Sequence, residues 1–94
     1  MILSYRDKRT EDFAAGKRVA QFEPFRTQAE KRLDMLDAAT RIEDLRALPS
    51  NRLEALKGNR RGLFSIRINL QWRVCFEWHK GDLGPSNVEI VDYH

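Results

Sequence analysis

The sequence predicts a small α+β domain, with N-terminal helices packed on one face of a small, mainly antiparallel sheet. Two periodicities and one spacing carry this prediction. Phe22, Phe25, Ala29, Leu33 and Leu36 recur at steps of three and four, the stripe of a helix lying on a core. Phe64, Ile66 and Ile68 alternate with Ser65 and Arg67, and Trp72, Val74, Phe76 and Trp78 alternate with Arg73, Cys75 and Glu77. That is the period of two expected of antiparallel strands buried on one face. Only Asn69-Leu70-Gln71 separate the two runs, a spacing that predicts a hairpin. The length of 94 residues predicts one domain over residues 1–94.

In chain order, Ile2-Leu3-Ser4-Tyr5 reads as a short strand. Thr10 is placed to cap a first helix running to Ala15, with Gly16 as its stop. Pro24 suits the first turn of the second helix. Thr40-Arg41-Ile42-Glu43 has capping-box spacing, which predicts a third helix to Ala47, ended by Pro49-Ser50. Leu53 and Leu56 begin a short strand before Lys57-Gly58-Asn59, and Lys80 to Asn87 form a loop with Gly81, Gly84 and Pro85. A last strand runs from Val88 to Val91.

Composition excludes several classes. An apolar share of 41% and a charged share of 33% are too apolar for disorder and too polar for membrane residence. No run approaches the ~20 apolar residues of a membrane helix. Met1-Ile-Leu-Ser-Tyr passes directly into Arg6-Asp-Lys-Arg, so no signal peptide is expected. Cys75 is the single cysteine, which excludes an internal disulfide and fits a reducing cytoplasm. There is no P-loop, dinucleotide fingerprint or nucleophile elbow. His79 and His94 are the only histidines, so no metal site is expected.

Charge is unevenly placed. Residues 1–49 nearly balance, whereas residues 50–76 hold Arg52, Lys57, Arg60, Arg61, Arg67 and Arg73 against Glu54 alone. Such a block reads either as a solvated sheet edge guarded by charge or as a phosphate-binding surface. Glycines 58 and 62 bracket the central bases and permit close backbone approach, which favours phosphate. Strand alternation puts Arg67 and Arg73 together on the face away from Ile66, Ile68, Val74 and Phe76, as two arms of a clamp. Asp92-Tyr93-His94 reads either as a frayed tail or, beside those arginines, as an acid–base group.

Asn51-Arg-Leu-Glu-Ala-Leu-Lys-Gly58, Phe64-Ser-Ile-Arg-Ile-Asn69, Trp72-Arg-Val-Cys-Phe76 and Val88-Glu-Ile-Val-Asp-Tyr-His94 resemble, in this order, the HigB toxins of the RelE/ParE superfamily. Asp37-Ala-Ala-Thr40 and Asp44-Leu45 extend the resemblance into the helical half. It implies a RelE-like, microbial-RNase-like fold and a metal-independent, ribosome-dependent mRNA endoribonuclease that needs no cofactor. It also implies a HigA-like helix-turn-helix antitoxin, through which operator DNA is bound indirectly, and no membrane partner. Arg73 matches the family's sheet arginine, Lys57 the basic residue of the Leu-Lys-Gly motif, and Asp92, Tyr93 and His94 the terminal group. Arg52, Arg60, Arg61 and Arg67 are then expected to hold RNA. At Glu54 the chain departs from those HigB toxins that carry histidine there, and a glutamate can also act as a general base. The loop over 81–87 is slightly longer than usual. The competing reading is a non-catalytic binding module or a gyrase poison of the ParE type, acting within a DNA-binding toxin–antitoxin complex.

Overall fold

The computed structural model describes residues 1–56 and 62–92. Three helices, α1 (Lys8–Ala14), α2 (Arg26–Ala38) and α3 (Ile42–Arg46), precede four strands: β1 (Glu54–Ala55), β2 (Leu63–Arg67), β3 (Trp72–Glu77) and β4 (Ser86–Asp92). The strands form one antiparallel sheet in the order β1-β2-β3-β4. The α+β architecture is the one the two periodicities predict.

The helical stripe meets the inner sheet face as its spacing requires. Phe22, Phe25, Ala29, Leu33 and Leu36 are buried against Ile66, Ile68, Val74, Phe76, Val88 and Ile90. Phe22 stands edge-on to Phe13, with centroids 5.4 Å apart, and to Trp72 at 5.8 Å. Each large apolar side chain buried here stabilises the fold by roughly 1.5–3 kcal/mol. Among the described residues no helix is long and apolar enough to cross a membrane.

Several boundaries differ from expectation, each for a local reason. Asp7, not Thr10, caps α1: its carboxylate accepts from the Thr10 N–H at 3.2 Å. Residues Ala20–Phe25, with Pro24 inside, form a 3₁₀-helix, and α2 begins only at Arg26. Thr40 pairs with Asp44 rather than Glu43; one carboxylate oxygen accepts from both its N–H at 2.9 Å and its hydroxyl at 3.1 Å. These bonds, the backbone one first, hold the Asp44 carboxyl below its ordinary value. Pro49–Asn51 form a further 3₁₀ turn.

The predicted N-terminal strand is only a bridge. Tyr5 pairs in parallel with Val88, and Leu3 donates to the Pro85 carbonyl at 2.8 Å. The last strand starts earlier than Val88, at Ser86, and contains a bulge. Glu77 faces Ser86 and Cys75 faces Glu89, so Asn87 and Val88 together oppose Phe76. Asn87 takes the left-handed conformation, φ 50°, which one class of bulge places at its first residue.

Past the N-terminal bridge, the Ile90 N–H on β4 has no strand to pair with. The Thr10 hydroxyl, wholly buried, accepts from it at 3.0 Å. Thr10→Val therefore strands a buried donor and is expected to cost about 1–3 kcal/mol. Thr10→Ser, which keeps the acceptor, is expected to lose far less. Urea unfolding of the two variants checks this, and equal midpoints would count against it.

Candidate active site on the open sheet face

The sheet's other face carries several of the candidate site residues, and the register places them. Arg67 lies directly opposite Arg73 on β2 and β3, and Val91 of β4 faces Arg73 from the far side. One step along, Glu54, Ser65, Cys75 and Glu89 form a row across all four strands. Side chains of opposed residues share a face, so the two arginines stand together as alternation predicts.

Like charges directly opposed across a ladder are unfavourable unless something holds or answers them. Arg73 is held. Its Nε donates to Ser65 Oγ at 2.8 Å, its Nη2 donates to the Arg52 carbonyl and to the Ser65 carbonyl at 3.3 Å, and Nη1 stands 3.8 Å from a Glu54 carboxylate oxygen. Arg67 is held less firmly, its Nε donating to the Asn69 carbonyl at 3.3 Å. The two positive charges therefore stay together, a standing attraction for an anion.

In one respect the structure corrects the sequence reading. Arg73 is on the predicted face, but it is only 8% exposed and lies over the wholly buried Ser65. Alternation reports a side chain's direction; it cannot report that the chain folds flat against its neighbours. Arg52, Glu54, Arg67, Asn69, Leu70 and Arg73 line an open depression of about 320 Å³. Leu70 is 90% exposed at the hairpin tip.

A larger depression, about 450 Å³, lies further along the same face. It collects Glu77, Glu89 and Asp92 against Arg6, a more acidic lining than that of the first depression. The Glu77 carboxyl is held below its ordinary value first by a bond from the Asn87 amide and then by His79. His79 itself is an exposed loop residue, as expected. Its ring lies so close to Gly62 that a Cβ there would stand 2.3 Å from it and the imidazole would have to move, and φ +77° at this position favours glycine. Cys75 is half-buried in β3, as its strand position predicts. Among the described residues no group of three or more His, Cys, Asp or Glu is arranged to hold a metal ion.

Of the remaining predicted residues, Asp92 ends β4 and accepts from Gln71 Nε2 at 2.9 Å, tying the strand to the hairpin loop. Lys57, Arg60, Arg61, Tyr93 and His94 lie outside the described residues. Sequence reasoning missed the frame around Arg73: Ser65, and behind it Arg32 and Asn51. The Asn51 motif was visible, but its burial was not.

The RelE-like toxin of type II toxin–antitoxin system HigB, as a family model, matches residues 3–94. The chain belongs to this HigB-like toxin family. Toxin HigB-1 of Vibrio cholerae is 39% identical over 83 residues, covering 86% of this chain and 87% of that protein. A protein of Proteus vulgaris named Endoribonuclease HigB is 40% identical over 63 residues, 67% of this chain and 65% of its own length. As a type II HigB-like toxin, the chain has a protein antitoxin as its partner. The family match spans both the helical half and the sheet, so the opposed arginines and their frame lie within it.

Proposed function

We propose that this HigB-like toxin is one toxin domain over residues 1–94 that cleaves mRNA on the ribosome as a metal-independent endoribonuclease. The observation that carries the reading is the Arg67–Arg73 pair, with Arg73 locked in place beside an open depression. The name of the Proteus vulgaris relative supports the same activity. RNA can serve as its own nucleophile. The 2′-oxygen bonds to the adjacent phosphorus as the bond to the 5′-oxygen breaks, leaving a cyclic phosphate and a 5′-hydroxyl. The enzyme must move one proton off the 2′-hydroxyl, deliver one to the 5′-oxygen and steady the charge between them.

Arg73 and Lys57 are assigned to that charge. An arginine whose bonds fix it before substrate arrives costs little reorganisation during reaction. His94 is assigned to proton transfer, with Tyr93 and Asp92 in support and Glu54 as a carboxylate base beside Arg73. Arg52, Arg60, Arg61 and Arg67 hold the RNA backbone. The antitoxin is proposed to be of the HigA-like helix-turn-helix kind, which brings the pair to operator DNA.

The make-up of the described depression supports ribosome dependence. The described residues around the depression include no aromatic platform on which a lone strand would stack. A ribosome that presents the message in line supplies that positioning. Message cleavage in a translating extract is therefore expected to far exceed cleavage of the same RNA naked. Equal rates would overturn the ribosome requirement. Pulse-labelling of induced cells separates this toxin from a gyrase poison: protein synthesis stops first here, DNA synthesis first for the poison.

A further inference from the structure

We propose that Arg32 and Asn51 are positioning residues that set the geometry of Arg73 from behind the sheet. The inference rests on the reading of Arg73 as the residue that steadies phosphate charge. Arg73 leans on two parts of the chain, the Ser65 side chain and carbonyl on β2 and the Arg52 carbonyl in the turn before β1. The turn before β1 has no strand partner, since β1 pairs only through Glu54 and Ala55, and the end of β2 pairs with β3 through Arg67 but has no β1 residue on its other side. Arg32, on α2, joins the two. Its Nε donates to the Arg67 carbonyl at 2.9 Å and its Nη1 to Asn51 Oδ1 at 2.9 Å.

Asn51 passes the constraint on. It is wholly buried, and its Nδ2 donates to the Leu45 carbonyl at 3.1 Å, anchoring the turn to α3. The next residue, Arg52, has φ 47° and ψ 50°, a left-handed conformation that a side chain rarely adopts without compulsion. That conformation is the one in which the Arg52 carbonyl receives Arg73 Nη2. A strained conformation at a candidate site, held by a buried amide, is what a positioning device looks like.

A guanidinium spans this gap with both bonds at once. Its planar fork gives two bonds in fixed relative directions, whereas a lysine ammonium is a point donor on a flexible stem. Burial lowers the Arg32 pKa, a cost that an ordinary surface arginine does not bear. A stem that merely filled space there would need no charge.

Arg32→Lys is the test, read on programmed ribosomes beside wild type, Arg73→Lys and the double variant. In the wild-type background kcat is expected to fall about 10–10²-fold, because displacement of a charge-bearing group by a fraction of an ångström is that costly. KM is expected to stay within about threefold, since the lost interaction belongs to the transition state. In the Arg73→Lys background the same change is expected to cost less than about twofold, the non-additivity of residues that act as one unit. The Arg73 Nε–H signal in the nitrogen–proton NMR spectrum of the arginine side chains is expected to shift in Arg32→Lys. If that variant fails to fold, Asn51→Asp, which keeps the acceptor for Arg32 and loses the donor to Leu45, takes its place with the same expected pattern. Wild-type kcat, an additive loss in the double variant, or an unmoved Arg73 signal would each overturn the proposal. Wild-type cleavage by Arg73→Lys and Arg73→Ala would instead overturn the reading of Arg73, and the NMR signal would still decide whether Arg32 positions it.

Discussion

Arg73→Ala is expected to lower the cleavage rate about 10²–10³-fold, the usual consequence of removing one fixed donor from a developing oxyanion or phosphorane. It is also expected to lower stability. The side chain is buried, and its truncation deprives Ser65 Oγ and the Arg52 carbonyl of a charged donor. Leaving such groups unanswered costs about 1–3 kcal/mol. The two effects separate by variant. Arg73→Lys keeps the charge but cannot donate to β2 and to the Arg52 turn together, so it recovers part of the stability and little of the rate. Urea unfolding and single-turnover cleavage, at a temperature where every variant is folded, measure both. A folded Arg73→Ala protein that cuts message at the wild-type rate would remove this residue from the site.

Loss of Asp92, Tyr93 and His94 is the second large effect. β4 pairs with β3 as far as Asp92, opposite Trp72, so the deletion removes the last pair of the ladder; its buried residues Val88 and Ile90 lie upstream, and the unfolding midpoint is expected to fall only slightly. Cleavage is expected to fall at least ~10²-fold, as it does when catalytic groups are misplaced. Single substitutions divide the loss. Asp92→Ala breaks the tie to Gln71 and loosens the hairpin loop that carries Asn69 and Leu70. His94→Ala removes the proposed proton carrier and leaves that tie intact. Retained affinity for the antitoxin serves as the control for a native surface. If the shortened protein still arrests growth and cuts message normally, the tripeptide is a tail.

The elements whose burial is strong and periodic were legible in the sequence. The stripe from Phe22 to Leu36 and the alternation from Phe64 to Trp78 each determine an element and the face it buries, because the hydrophobic effect acts on every second or every third to fourth residue alike. The same alternation puts Arg67 and Arg73 on one face, where the strand register also has them. Capping was less legible. Asp7 and Thr10, or Glu43 and Asp44, are equally able acceptors on paper, and the choice depends on where each backbone turns. The resemblance to HigB toxins, carried by four ordered motifs, named the family that the comparison over residues 3–94 also identifies.

By itself, then, the sequence determined the α+β layering, the hairpin, the basic block and the pairing of two arginines on the open face. Tertiary structure alone decided the rest. It turned Arg73 flat onto Ser65 and the Arg52 carbonyl, gave Thr10 to the Ile90 N–H instead of to a helix end, and brought Arg32 and Asn51 together across 19 residues. The physical reason is common to all of these. Periodic burial is a sum over many weak contacts and survives in one dimension. A buried hydrogen bond joins one donor to one acceptor, and which two meet is known only once the chain has closed on itself.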